Sequence, residues 1–313
     1  MATLADTLAE AGLALQSVGR AGRGLIAVRQ FNCGEVLWKE KGLRARTPER
    51  LAKAVIESGE MCAKISHLYT GPLCHLQGWD GALPDGVTDQ EWADVYSKVR
   101  FNCFESEGSC LLPVMALFNH SCAPNAAITR LGMVEECNFA MVAVSETPIL
   151  PGTEVVYSYN SDYLFVPFLE RQKLLMSNWS FVCRCVRCIQ EEHLDEQSDC
   201  EAEDQEPLDR LLQHVEAGEG CRRLFRARQA VLHRPGLSLA QRKQLFGAQL
   251  AAARTLLPCL HPSLVKIFEE LRDLCEPSGY KSHCEKVCIF YGKLRSKETA
   301  IWPLSDSEPD PIA

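Results

Sequence analysis

Three cysteines, Cys183, Cys185 and Cys188, constrain this chain more than any other feature of its sequence. Side chains two and three positions apart cannot all face one packed interior, whereas a tetrahedral ion can gather them. Zinc takes thiolates at about 2.3 Å and usually holds four ligands in a structural site. Three are supplied locally, so the fourth must arrive from elsewhere in the chain. Cys122 is the natural donor, inside the stretch Asn119-His120-Ser121-Cys122-Ala123-Pro124-Asn125. The competing readings are a redox cluster or unrelated buried thiols. The metal reading demands a fold that brings residue 122 to residues 183–188 and closes a pocket between them.

The Asn119–Asn125 stretch follows an apolar run, Leu111 to Phe118, and leads into Ala126-Ala127-Ile128-Thr129. Short polar side chains and a proline at the end of a hydrophobic element predict a turn. Gly152-Thr153-Glu154-Val155-Val156-Tyr157-Ser158-Tyr159 follows, and strand alternation puts Tyr157 and Tyr159 on one face. Either tyrosine taken alone reads as a core aromatic. A glycine-rich loop, Gly19 to Gly24, precedes the first β-prone run; no Gly-Lys-Ser/Thr ends it, so it is not a nucleotide loop of the usual type.

At 313 residues the chain has room for two compact domains, or for one with a helical appendage. Its net charge of −8 gives no large basic surface, which argues against dedicated nucleic-acid binding and favours a basic partner such as a lysine-rich peptide. No run of about 18 apolar residues is present, so no membrane span is expected. Asp6 and Glu10 interrupt the N-terminal stretch, and no basic start precedes an apolar core, so no secretory signal is expected. The 16 cysteines are therefore expected as reduced thiols in the cytosol or nucleus.

Gly24–Val28 and Glu35–Trp38 read as strands, as do Asn138–Val144 and Glu154–Tyr159. Helices are expected over Leu51–Glu57, from Glu91 after Thr88-Asp89, and over Pro167–Met176, where Phe168, Leu169, Gln172 and Leu175 set the spacing. Cys62, His67, Cys74 and His75 fit no familiar zinc spacing. Glu191–Glu206 is acidic and reads as a linker or surface loop. Beyond it, helical stripes recur at Leu208–Val215, Leu264–Leu271 and His283–Leu294, and Ser238 with Gln241 forms a capping box that opens Leu239–Leu256.

Gly22-Arg23-Gly24-Leu25, Asn119-His120-Ser121-Cys122-x-Pro124-Asn125, Gly152-x-Glu154-Val155-x2-Ser158-Tyr159 and Cys183-x-Cys185-x2-Cys188 resemble, in order, the motifs of SET-domain protein lysine methyltransferases. Their spacing is most similar to the SET-and-MYND branch, and the resemblance covers about residues 13–190. It implies an α+β chain: a β-rich SET core over 13–175 with a pseudoknot and a helical insert at about 45–100. A zinc-bound post-SET segment would follow at 176–190, then the acidic linker at 191–206 and an all-helical C-terminal part at 207–300.

The resemblance further implies S-adenosylmethionine as cofactor, lined by Gly22, Arg23, Gly24, Asn102, Asn119 and His120, with Phe181 near the adenine and Tyr159 as the catalytic tyrosine. One structural zinc would sit on Cys122, Cys183, Cys185 and Cys188. Tyr157, Tyr163 and Trp179 would wall an aromatic substrate channel, where cation–π attraction suits an alkylammonium. The expected activity is transfer of a methyl group to a lysine of a histone or non-histone protein by a monomer that touches neither nucleic acid nor membrane. The rival reading is a catalytically silent SET-like module that binds a peptide or cofactor. Two positions depart from the branch. Residues 41–60 contain no cysteine, so its MYND zinc finger is missing, and Trp179 stands where relatives often place a tyrosine.

Overall fold

A computed structural model describes residues 3–19, 22–71, 83–105, 108–195 and 236–258, with single positions beyond these between 227 and 296. The chain opens with helix α1 (Leu4–Glu10) and an antiparallel hairpin, β1 (Leu13–Ser17) with β2 (Arg23–Ala27). Strands β3 (Val36–Lys41) and β4 (Leu43–Ala45) follow. A helical region then interrupts the strands: α2 (Pro48–Glu57), α3 (Gly59–Lys64) and α4 (Asp89–Asn102). Strands resume with β5 (Cys103–Glu105), β6 (Ser109–Leu111), β7 (Asn119–His120), β8 (Ala126–Leu131), β9 (Asn138–Ala143) and β10 (Val156–Tyr157). Helices α5 (Phe168–Trp179), α6 (Val186–Asp195) and α7 (Leu239–Leu256) follow, and short 3-10 turns lie at Met115–Leu117, Val134–Glu136 and Ser161–Phe165.

The strands form small sheets, ordered β3-β9-β8 and β4-β6-β5 beside the β1-β2 hairpin, and β10 pairs in parallel with β7. Residues 153–157 bond to both neighbours. On one side Val155 N–H donates to Leu25 O at 2.8 Å, and Glu154 bridges Ile26. On the other, Ser121 N–H donates to Tyr157 O at 2.9 Å. The returning chain is thus threaded between β2 and the 119–125 turn.

Local chemistry explains the helix boundaries. Ser58 ends α2 with its backbone N–H and caps α3 by accepting from Met61 N–H at 3.3 Å. A capping box of Thr88 and Glu91 starts α4, which buries Trp92, Val95 and Val99. The box of Ser238 and Gln241 starts α7. The main core packs Leu13, Leu25, Phe31 and Phe118 of the strand layer against Leu51, Val55 and Trp92 of the insert. A second core joins Ala140, Val142, Val144 and Leu164 to Phe246, Leu250 and Leu257 of the α7 region.

Several features differ from the sequence-based expectations. The strand expected over Glu154–Tyr159 is reduced to Val156–Tyr157, because the Tyr159 N–H is taken by His120 Nδ1 at 3.1 Å instead of a ladder carbonyl. The acidic stretch is helical through Asp195, since Glu191 is held by two arginines. On α5, Leu169 faces outward and Arg171 is fully buried in its place. Cys110 and Cys137 depart from the expectation of reduced thiols: they are joined as a disulfide, with Cα atoms 6.7 Å apart. They meet because β6 and the turn before β9 enter one small core with Leu112, Met115 and Phe139. Cys74 and His75, and the stripe at 208–215, lie outside the described residues.

Candidate active site and metal centre

The threaded segment builds the site by presenting its polar groups to the 119–125 turn. Asn119 Nδ2 donates to Glu154 Oε1 at 2.8 Å and to Arg23 O at 2.9 Å, tying the turn to β2 and to the returning chain. Asn125 closes the other end: its Nδ2 donates to Glu154 O at 2.8 Å, and its Oδ1 accepts from Val156 N–H at 2.9 Å. Gly24 passes so close to these groups that a Cβ there would stand 2.5 Å from Glu154 Oε1 and 2.6 Å from Asn119 Nδ2. The face of Gly22 is open instead, with φ +79 and nothing within 4 Å of a Cβ position, so a ligand can approach its backbone.

His120 links this turn to everything around it. Its Nδ1 accepts from Tyr159 N–H, and its Nε2 lies 3.2 Å from Cys122 Sγ. Its ring centroid is 5.3 Å from Tyr159 and 5.7 Å from Phe181. Tyr159 in turn lies 5.2 Å from Tyr157, 5.5 Å from Trp179 and 6.1 Å from Phe181, and Trp179 meets Tyr163 at 5.9 Å. Asn178 Nδ2 donates to the Tyr163 hydroxyl at 2.9 Å. Burial, reinforced by the nearby Glu154 charge, raises the Tyr159 phenol above its ordinary pKa; burial does the same to Tyr157, which packs on Phe104 in the main core.

The sulfurs of Cys122, Cys183, Cys185 and Cys188 all lie within 4.8 Å of one another. A tetrahedron with metal–sulfur bonds of about 2.3 Å has edges of about 3.8 Å, so the four thiols fit a zinc ion after a small contraction. Gln172 of α5 clamps the segment at Cys183, donating Nε2–H to its carbonyl at 3.0 Å and accepting its N–H at 2.9 Å.

Of the residues expected at the site, Asn119, His120, Tyr159, Phe181, Trp179 and Tyr163 come together, and Arg23 joins them through its carbonyl. The Arg23 guanidinium reaches the His67 carbonyl of the helical insert. Asn102 also works on the insert, its Nδ2 donating to Tyr69 O at 2.8 Å and Lys98 O at 2.7 Å. Glu154, Asn125, Arg171 and Gln172 were not among the expected site residues. Glu154 and Asn125 stood inside the quoted motifs, whereas nothing in the sequence separates Arg171 from the charged positions beside it.

Residues 22–160 match the family model described as SET domain. That stretch is a SET domain. N-lysine methyltransferase SMYD2 of Bos taurus is 34% identical over 164 residues, which are 49% of this chain and 36% of that protein. SMYD2-A of Xenopus laevis is 37% identical over the same shares. Protein-lysine N-trimethyltransferase SMYD5 of Homo sapiens is 31% identical over 125 residues, 37% of this chain and 27% of that protein. The chain spans about a third of the length of these relatives. Among solved structures, the SET domain of LSMT bound to lysine and AdoHcy overlaps 92% of this chain and 85% of that one, at 14% identity and a TM-score of 0.35. The SET domain therefore contains the threaded segment, the Asn119–Asn125 turn and Tyr159. The cysteine segment and α5 follow it and pack back onto it through Cys122 and the Tyr159 ring. No helix among the described residues is long and apolar enough to cross a membrane.

Proposed function

We propose that this chain is an S-adenosylmethionine-dependent protein-lysine N-methyltransferase whose four cysteines hold one structural zinc as a post-SET segment. Support for both the domain and the chemistry converges on one observation. Tyr159, at the end of the threaded segment, is surrounded by His120, Phe181 and Trp179, and its backbone is pinned to His120. When bound, S-adenosylmethionine supplies an electrophilic sulfonium methyl. Gly22 would offer it open backbone, Asn119, His120, Arg23, Gly24 and Asn102 would line it, and Phe181 would supply a ring for its adenine. A zinc ion held by Cys122, Cys183, Cys185 and Cys188 would anchor residue 122, and with it His120.

The incoming lysine must be neutral to attack, and free lysine has a pKa of about 10.4. An apolar channel walled by Tyr157, Tyr163 and Trp179 disfavours the charged amine, and a neighbouring cation pushes in the same direction. A phenol ordinarily titrates at about 10, and burial shifts Tyr159 further up, so it acts as a neutral hydroxyl that orients the reacting groups and not as a base. Alignment is the main rate term and is able to supply about 7–11 kcal/mol. The substrate is a lysine-bearing protein or peptide, for which the acidic chain is suited by charge, and the compartment is the cytosol or nucleus.

The test is radiolabelled methyl transfer from S-adenosylmethionine onto histones and cell extract, with cofactor binding followed by calorimetry. The intact chain is expected to label protein lysines. Tyr159→Phe should bind cofactor within a few-fold of the intact chain and lose about a hundred-fold in transfer, the scale of a small misalignment. Cofactor binding without transfer in the intact chain would leave a silent binding module, and no cofactor binding at all would remove the proposal.

A further inference from the structure

Arg171 is fully buried, one of two buried arginines among the described residues, and the small core around it is lined by thiols. Its Nε donates toward Cys122 Sγ at 3.1 Å, and its Nη2 lies 3.6 Å from Cys188 Sγ. The same Nη2 donates to Glu191 Oε2 at 2.5 Å, and Nη1 donates to Val166 O at 2.6 Å. All three nitrogens of the guanidinium are thus engaged, two of them with sulfur. Glu191 is held on its other oxygen by Arg187 Nε at 2.7 Å, and Arg187 Nη1 donates to Cys122 O at 3.3 Å.

Four thiolates on a divalent ion leave a net double negative charge inside a protein core. A buried charge of that kind is costly unless it is compensated. A planar, permanently charged fork meets the need better than a lysine, because it donates along several directions at once. Resting on the four-thiolate zinc reading, we infer that Arg171 is a positioning residue for the metal centre: its charge and paired N–H donors hold Cys122 and Cys188 in the ligating arrangement. Cys122 also touches His120 Nε2, so the guanidinium sits one side chain away from His120, which is expected to line the cofactor. Glu191 and Arg187 fix the orientation of the fork from α6. From α5, Arg171 thus reaches both the thiols and Glu191 of α6.

The experiment uses the full chain, its Arg171→Met variant and its Arg171→Lys variant. Zinc content is measured on the purified proteins, zinc affinity by chelator competition, folding by circular dichroism, and each protein is also loaded with cobalt(II). Arg171→Met is expected to bind zinc about ten- to a hundred-fold more weakly, the range for losing an outer partner of a metal ligand. In the cobalt form, loss of N–H donors to sulfur should move the sulfur-to-metal charge-transfer band to longer wavelength, which a loss of packing alone would not do. Arg171→Lys keeps the charge without the fork and should fall between the other two in affinity and band position. A folded Arg171→Met protein with wild-type affinity and an unmoved band overturns the role of Arg171 while leaving the zinc centre standing. Should that variant not fold, an Arg171→Lys protein indistinguishable from wild type in both measurements overturns it equally. A wild-type chain that holds no zinc overturns the four-thiolate reading and the inference together.

Discussion

Asn125 shows how one side chain decides the geometry of a whole site. Its amide spans the threaded segment, donating to Glu154 O and accepting from Val156 N–H, while its own backbone N–H donates to Val156 O at 3.1 Å. Asn125→Ala strands a carbonyl and an N–H that water reaches poorly. At roughly 1–3 kcal/mol for each unsatisfied group, the variant should lose about 2–6 kcal/mol, read from urea unfolding. Gly24 carries the complementary constraint, since any side chain there collides with Asn119 and Glu154. Both residues belong to motifs visible in the sequence, and their chemistry was legible there as types: a short amide, a residue without a side chain. Their partners were not, because Asn119 and Glu154 are 35 positions apart and only the threading brings them within 2.8 Å. Arg171 is the opposite case. In Glu170-Arg171-Gln172-Lys173 it reads as one of several surface charges, and the apolar stripe placed Leu169 inward. The helix turns the other way, burying Arg171 and leaving Leu169 58% exposed, because four clustered sulfurs need a cation more than a small core needs one more leucine.

At the scale of elements, α5 and α6 are braces for the metal centre. Gln172 grips Cys183 from α5, and Glu191 bridges two arginines from α6. Helix α5 stops where Ser180 adopts a left-handed conformation, φ 59, which turns the chain toward the cysteine segment. A bound metal would add four bonds that tie residue 122 to residues 183–188 beyond these contacts. Chelation of zinc should therefore speed hydrogen exchange in α6, including the Ile189 amide that donates to Cys185 O at 3.0 Å, and leave the β1–β2 hairpin unchanged. Mass-spectrometric exchange with and without chelator reads this directly, and equal protection of α6 in both states would refute it. The helix boundaries themselves were well marked locally. Thr88 with Glu91 and Ser238 with Gln241 form the capping boxes their spacing announces. The end of the last strand was not marked, because the competitor for the Tyr159 N–H is His120, distant in sequence.

Across the whole molecule, α7 does not stand apart from the SET domain. Phe246, Leu250 and Leu257 share a core with Ala140, Val142, Val144 and Leu164, and Leu260 N–H donates to Val144 O at 3.3 Å. Leu250→Ala should lower stability by about 2–5 kcal/mol and shift one common unfolding transition, not a separate helical one, when followed by both far-ultraviolet circular dichroism and tryptophan fluorescence. His261 adds a pH dependence at the same junction. It is buried, and burial pushes its pKa down to about 3 from an unfolded value near 6.5. The folded form holds it neutral, so its contribution is complete above about pH 6.5 and is lost as pH falls toward 3. The unfolding free energy of the intact chain should drop over that window more steeply than that of His261→Gln.

The sequence alone determined what depends on residue type and short spacing. It specified a cysteine triplet that needs a distant fourth sulfur, a turn of short polar residues, the helix caps and the order of the SET motifs. Those features are local or combinatorial, and chain order is enough to read them. Only the tertiary structure decided which residues supply charge and hydrogen bonds to the site: Glu154 to Asn119, His120 to Tyr159, Arg171 to the thiols. Such partners are chosen by threading and burial. The energy of a buried polar group depends on what lies across from it in space, and spacing along the chain does not record that.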